Sequence, residues 1–156
     1  MIELVIPGFG NLNLKYLVLD FNGTLATDGV IVDGILDMLN ILSKQVDIHI
    51  LTADTYGTVS SQLDQHPFQV TVVPTSKQDQ FKAEYVKRLG QAHVACVGNG
   101  RNDRLMMRET ALAIAVIQRE GAASETVAAA HIVCTNILDA LSLLVNTKRI
   151  AATLRN

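Results

Sequence analysis

The stretch Tyr16-Leu17-Val18-Leu19-Asp20 constrains this chain most. It runs apolar without a polar break and stops at a carboxylate. Asn22-Gly23 follows, a dipeptide that favours turns. An apolar run bounded in this way reads as a strand buried on both faces of a parallel sheet. Open α/β sheets place their chemistry at the carboxyl ends of such strands. Asp20 is therefore expected at the sheet's working edge. The plainer reading of the same residues is a strand closed by an Asn-Gly turn.

The rest of the chain alternates strand and helix patterns. Residues 2–6 and 12–14, joined by Pro7-Gly8-Phe9-Gly10-Asn11, read as an N-terminal β-hairpin. Residues 26–32 carry a second turn, Asp28-Gly29, which suggests a small flap beside the site. Asp33 is expected to cap a helix in which Ile35, Leu36, Leu39 and Leu42 share one face. Strands are expected over 47–52, 69–73, 93–97, 111–117 and 132–134. Helices are expected over 54–63 behind an Asp54 cap and over 76–89, where Ser76 and Asp79 have capping-box spacing. Further helices are expected over 102–109, 120–129 and 136–145, with a last basic helical segment to residue 155. The order predicts an α/β fold: a three-layer, Rossmann-like, mainly parallel sheet with helices on both faces.

Its 156 residues fit a single domain over 1–156, long enough to bury roughly 68–70% of the unfolded surface. Lys and Arg number 13 against 15 Asp and Glu, and no basic stripe stands out, so nucleic acid is not an expected partner. The apolar run over 111–117 is far too short to span a bilayer, and the start lacks the basic residues of a signal peptide. A cytoplasmic protein is expected, with Cys96 and Cys134 as reduced core cysteines. His49, His66, His93 and His131 show no ligand spacing and read as structural.

Four clusters fall at strand ends, in order: Asp20-Phe21-Asn22-Gly23-Thr24, Leu51-Thr52-Ala53-Asp54, a lysine-bearing helix with Lys77 and Lys82, and Gly98-Asn99-Gly100-Arg101-Asn102-Asp103. Singly, each has an ordinary explanation: a turn, a helix cap, a solvated lysine, a glycine-rich connection. Together they resemble the four motifs of the haloacid dehalogenase superfamily, and the run from 16 to 133 is similar to a soluble, stand-alone P-type ATPase phosphorylation domain. The resemblance implies a capless fold and a Mg²⁺-dependent phosphohydrolase or phosphotransferase. Asp20 would be the nucleophile that becomes an aspartyl phosphate. Asn22 stands where phosphatases carry their acid/base. Thr52 would bind the phosphoryl group. Lys82 would offset negative charge, preferred over Lys77 for its apolar phasing. Gly23, Thr24, Ala53 and Asn102 would contact phosphate or substrate, and Asp20, Asn22, Asn99 and Asp103 would surround Mg²⁺.

Two positions depart from that pattern, since Asn22 and Asn99 replace acids. Asn has no titratable proton, and general acid–base help is typically worth ~10²–10⁴-fold. A slow enzyme with a persistent phosphoenzyme is expected, acting on a phosphorylated small molecule or phosphoprotein. The alternative is a catalytically weakened binding, regulatory or phospho-acceptor protein. Without a cap the site is open, and a homo-oligomer could supply a lid.

Overall fold

A computed structural model of the chain describes residues 1–54 and 58–156. Strands β1 (Ile2–Ile6) and β2 (Gly10–Leu14) pair antiparallel as the expected hairpin, a sheet of their own. Then come β3 (Tyr16–Asp20), the flap strands β4 (Ala26–Thr27) and β5 (Val30–Ile31), α1 (Ile35–Leu42), β6 (Asp47–Thr52), α2 (Thr58–Leu63) and β7 (Gln69–Val72). The chain continues as α3 (Gln78–Leu89), β8 (Val94–Gly98), α4 (Arg104–Glu109), β9 (Leu112–Val116) and α5 (Ser124–Ala129). It ends with β10 (Ile132–Cys134), α6 (Ile137–Val145) and α7 (Thr147–Leu154). Part of the helix expected over 54–63 falls on residues 55–57, outside the described residues.

Six strands form one parallel sheet in the order β10-β9-β8-β3-β6-β7. From β3 the chain builds outward through β6 and β7, then returns to lay β8, β9 and β10 on the other side. This reversal beside β3 is the topological switch point, where such sheets open a crevice at their carboxyl edge.

Side chains along a strand alternate between faces, and the packing follows that period. Leu17 and Leu19, Ile48 and Ile50, Ala95 and Val97, and Leu112, Ile114 and Val116 join one core with residues of the hairpin, α1, α6 and α7. Val18, Leu51, Val94, Cys96, Ala113 and Ala115 join a second core with Val86 of α3 and Met106 and Met107 of α4. Both faces are covered, which is why the strands read as continuous apolar runs. The phase of β3 puts Asp20 on Val18's face, the side on which α3 packs. Between Asp20 and Thr52 lie only the flap and α1, and no cap domain is present among the described residues. No helix of the described residues is long and apolar enough to cross a membrane.

Three helix starts differ from expectation. Asp33 does not cap α1: Gly34, with φ +84°, precedes its first residue and no side chain caps it. The Ser76/Asp79 capping box does not form, because α3 begins at Gln78 after Lys77, which sits at φ +53°. A left-handed residue breaks the helical path, and Asp79's carboxylate instead accepts from the Gln80 N–H at 2.9 Å. The helix expected from residue 120 begins at Ser124, because Gly121 has φ +73° and Ala123 is extended. Residues 118–121 therefore form a loop at the sheet's working edge. Asn136 caps α6 through its side chain, accepting from the Asp139 N–H at 2.8 Å.

Candidate active site

Asp20 ends β3 and is 7% exposed. Its Oδ1 lies 2.5 Å from Lys82 Nζ, and the same ammonium lies 2.6 Å from Asp103 Oδ1. Lys82 is fully buried because it stands on the inward face of α3, one helical turn before Val86. Lys77 stands at the exposed start of that helix, outside this ion triad. A cleft of about 250 Å³ opens over the triad, its wall including Asp20, Asn22, Lys82, Asn99 and Asn102.

The triad carries two negative charges and one positive in a poorly hydrated place. Burial pushes the Asp20 carboxyl up to about 7, and the neighbouring Asp103 adds to the rise while Lys82 opposes it. For Lys82, burial alone would favour the neutral amine, but Asp20 and Asp103 together outweigh it and hold the ammonium above its ordinary range. Lys82 is thus a fixed cation.

The glycine-rich turn after β8 is shaped around Asp103. Asp103 Oδ2 accepts from the main-chain N–H groups of Asn99 at 3.0 Å and Gly100 at 2.9 Å. A Cβ at Gly98 would lie 2.5 Å from that carboxylate oxygen, so the turn closes only over glycine. Both Asp103 oxygens are engaged, one by the lysine and one by the turn. The Thr24 hydroxyl stands 3.3 Å from Asp20 Oδ2 and 3.1 Å from Asn99 Oδ1. Gly23 adopts φ +78°, and a Cβ there would fall 2.4 Å from the Asn99 amide nitrogen. The Asn-Gly turn is thereby folded against the glycine-rich turn after β8.

The residues expected at the site mostly converge. Asn22 and Ala53 line the cleft, as do Asn99 and Asn102, and Asn102 donates to Gln78 Oε1 at 2.8 Å. Thr52 is buried and is not among the residues lining the cleft, and its Oγ1 accepts from the Asp54 N–H at 3.1 Å. Gly23 and Thr24 brace the cleft from behind. The four histidines bond structurally: His49 to Tyr85, His66 to Asn40, His93 to the Asn13 carbonyl and His131 to the Ala113 N–H. Both cysteines are free thiols.

Sequence reasoning missed the loop after β9. Gln118 Nε2 donates to the Thr24 carbonyl at 2.9 Å and the Gly23 carbonyl at 3.2 Å, while its Oε1 accepts from the Ile137 N–H at 2.8 Å. Gly121's carbonyl accepts from Asn99 Nδ2 at 2.9 Å. Glu120 lines the cleft and accepts from the N–H of Asp28 at the flap tip, at 2.9 Å. The signal was Gly121 itself, a turn residue after a strand whose carboxyl end reaches the same edge.

Among the described residues no group of three or more His, Cys, Asp or Glu could hold a metal ion. The residues lining the cleft offer oxygen donors instead, a carboxylate on Asp20 and amide oxygens on Asn22, Asn99 and Asn102. All-oxygen donors with room for water fit Mg²⁺, which keeps several waters, better than metals that prefer nitrogen or sulfur.

The chain resembles solved phosphatases throughout its length. It superposes on the cobalt-bound deoxy-D-mannose-octulosonate 8-phosphate phosphatase of Haemophilus influenzae with a TM-score of 0.69 and 13% identity, covering 92% of this chain and 94% of that one. The Moraxella catarrhalis 3-deoxy-D-manno-octulosonate 8-phosphate phosphatase, in complex with magnesium, phosphate and its sugar, gives 0.65 and 18%, covering 91% and 94%. A haloacid dehalogenase family hydrolase of Streptomyces avermitilis, described as putative, gives 0.65 and 22%, covering 85% and 84%. No family model matches the chain. The fold is that of the haloacid dehalogenase superfamily hydrolases. By sequence, the chain belongs to the family of two uncharacterized proteins of Methanocaldococcus jannaschii. MJ0073 is 44% identical over 63 residues, 40% of this chain and 68% of that protein. MJ0072 is 51% identical over 39 residues, 25% of this chain and 89% of that protein.

Proposed function

We propose that the protein is a phosphohydrolase or phosphotransferase working through a phosphoryl group carried on Asp20. The observation that supports this most is the lysine buried between two carboxylates at the switch point, one of which lines an open cleft. Phosphoryl transfer asks for positioning and charge neutralisation, and the triad supplies both. Lys82 fixes Oδ1 of Asp20 and leaves Oδ2, held only loosely by Thr24, as the attacking oxygen. The Thr52 hydroxyl, the Asn102 amide and the backbone at Ala53 would bind the transferred oxygens. Asp20, Asn22, Asn99 and Asp103 would hold Mg²⁺, whose charge would offset that of the phosphoryl group when bound. Asn22 moves no proton, so the motif turn itself gives the leaving group no acid. Acyl and aryl phosphates, whose leaving groups need no acid, are therefore the plainest substrates on which to test Asp20 itself. The open cleft suits a phosphorylated small molecule or a phosphoprotein.

The test is a phosphatase panel with wild type and Asp20→Asn, using acetyl phosphate and p-nitrophenyl phosphate with and without Mg²⁺. Mg²⁺-dependent phosphate release that Asp20→Asn abolishes is expected. Equal turnover by both proteins overturns the reading. The amides at 22 and 99 favour a second reading, a phospho-acceptor or binding protein on the same fold. Stabilisation by beryllium fluoride and Mg²⁺ with no turnover of any substrate supports it instead.

A further inference from the structure

We infer that Glu120 is the general acid and base of this site, acting across the cleft from the position where Asn22 leaves none. The inference rests on the phosphoryl-transfer reading above and fills its one chemical gap. Asp20 and Lys82 are held in the triad, and Asn22, Asn99 and Asn102 cannot titrate. Glu120 is the remaining titratable side chain among the described residues of the cleft wall.

The loop that carries it is tied to both motif turns. Gln118 binds both the Gly23 and Thr24 carbonyls, next to Asn22. Gly121 accepts from the Asn99 amide, and the Ala123 N–H donates to the Asn99 carbonyl at 2.8 Å. Glu120 Oε1 accepts from the flap-tip N–H of Asp28, and among the described residues Glu120 makes no ion pair. One carboxylate oxygen anchors to the flap, and the side chain is exposed at the cleft wall. The two departures in the motifs then share a cause. Asn99 carries an amide because it must donate to the loop that bears Glu120, an interaction a carboxylate cannot make. Asn22 is dispensable as an acid because another carboxyl reaches the same cleft.

The steps balance. Asp20 Oδ2 bonds to phosphorus, the bond from phosphorus to the leaving oxygen breaks, and protonated Glu120 gives its proton to that oxygen. A water then attacks the aspartyl phosphate, ionised Glu120 takes the water's proton, and the bond from phosphorus to Asp20 breaks. Inorganic phosphate leaves and both carboxyl groups return to their starting states.

The test is Glu120→Gln, which keeps an oxygen for the Asp28 N–H and so keeps the flap anchored. Hydrolysis of an alkyl phosphate should fall by about 10²- to 10⁴-fold. Phosphorylation of Asp20 by acetyl phosphate, whose leaving group needs no acid, should fall far less. The phosphoenzyme should accumulate, because its hydrolysis also loses the base. Adding Asn22→Asp to Glu120→Gln should restore alkyl phosphate turnover and clear the phosphoenzyme. Loss equal across leaving groups, no loss at all, or a changed Mg²⁺ requirement without leaving-group dependence overturns the role of Glu120. Full activity of Asp20→Asn in the same assays would instead remove the underlying reading.

Discussion

Asn99 Nδ2 donates to the main-chain carbonyl of Gly121 at 2.9 Å, and this bond ties the loop after β9 to the turn after β8. Asn99 is 7% exposed, so its partners are not easily replaced by water. Asn99→Asp removes this donor and sets a carboxylate against a carbonyl oxygen. A buried group left unsatisfied costs about 1–3 kcal/mol. We expect Asn99→Asp to unfold at lower temperature than wild type in EDTA. Mg²⁺ should recover more stability in the variant, because the new carboxylate adds a charged ligand. Thermal shift with and without Mg²⁺ checks both halves, and an unchanged midpoint in EDTA would contradict the bracing role.

Lys82 neutralises two carboxylates at once, so its removal leaves uncompensated buried charge. Breaking a buried pair by removing one partner typically costs about 3–5 kcal/mol. Lys82→Met should lose activity and a stability of that order. Asp20→Asn in the same chain should return part of the loss, since the site then carries one fewer charge. Urea unfolding of the two single variants and the double gives the coupling directly. Additive losses would mean that the three side chains are not energetically joined.

Much of this fold was legible because both faces of the sheet are covered. The strands through Val18, Ile50 and Val97 read as apolar runs, and their ends carry the polar residues that converge on the cleft. Helix starts were less legible, because Gly34, Lys77 and Gly121 fix them through left-handed backbone rather than through side-chain caps. Lys82 was separable from Lys77 because Val86, one turn on, shares its buried face. Gln118 and Glu120 were not found, since their partners are the main-chain groups of Gly23, Thr24 and Asp28. Such bonds leave no residue-type signature in the partner.

Asp20 gives the metal-free protein a defined pH dependence. Its carboxyl is raised from 3.8 to about 7, chiefly by burial and then by Asp103, against the pull of Lys82. A raised folded value means that the native state holds the proton more tightly than the unfolded chain does. The associated stability is fully present below about 3.8 and is lost as pH rises through about 7. Asp20→Asn mimics the protonated form at every pH. In EDTA it should therefore gain on wild type as pH rises from 5 to 8, read as a widening difference in unfolding temperature. A constant difference over that range would show that Asp20 ionises freely in the folded protein.

His49 should act in the opposite sense. It lies on β6 beneath Tyr85, its Nδ1 2.8 Å from the phenol oxygen, and its Nε2 is buried with no partner among the described residues. Burial lowers its affinity for a proton, outweighing the nearby Asp47 that favours the charged ring. Its folded value lies below the unfolded 6.5, so its contribution is present above that pH and is lost as pH falls through the lower folded value. His49→Phe cannot charge and leaves no orphaned nitrogen, while Thr71 remains 3.3 Å from the Tyr85 hydroxyl. The variant should gain on wild type as pH is lowered from 7 to 5 and show no such trend above 7. Equal acid sensitivity of the two proteins would mean that the ring protonates in place, with water admitted to Nε2.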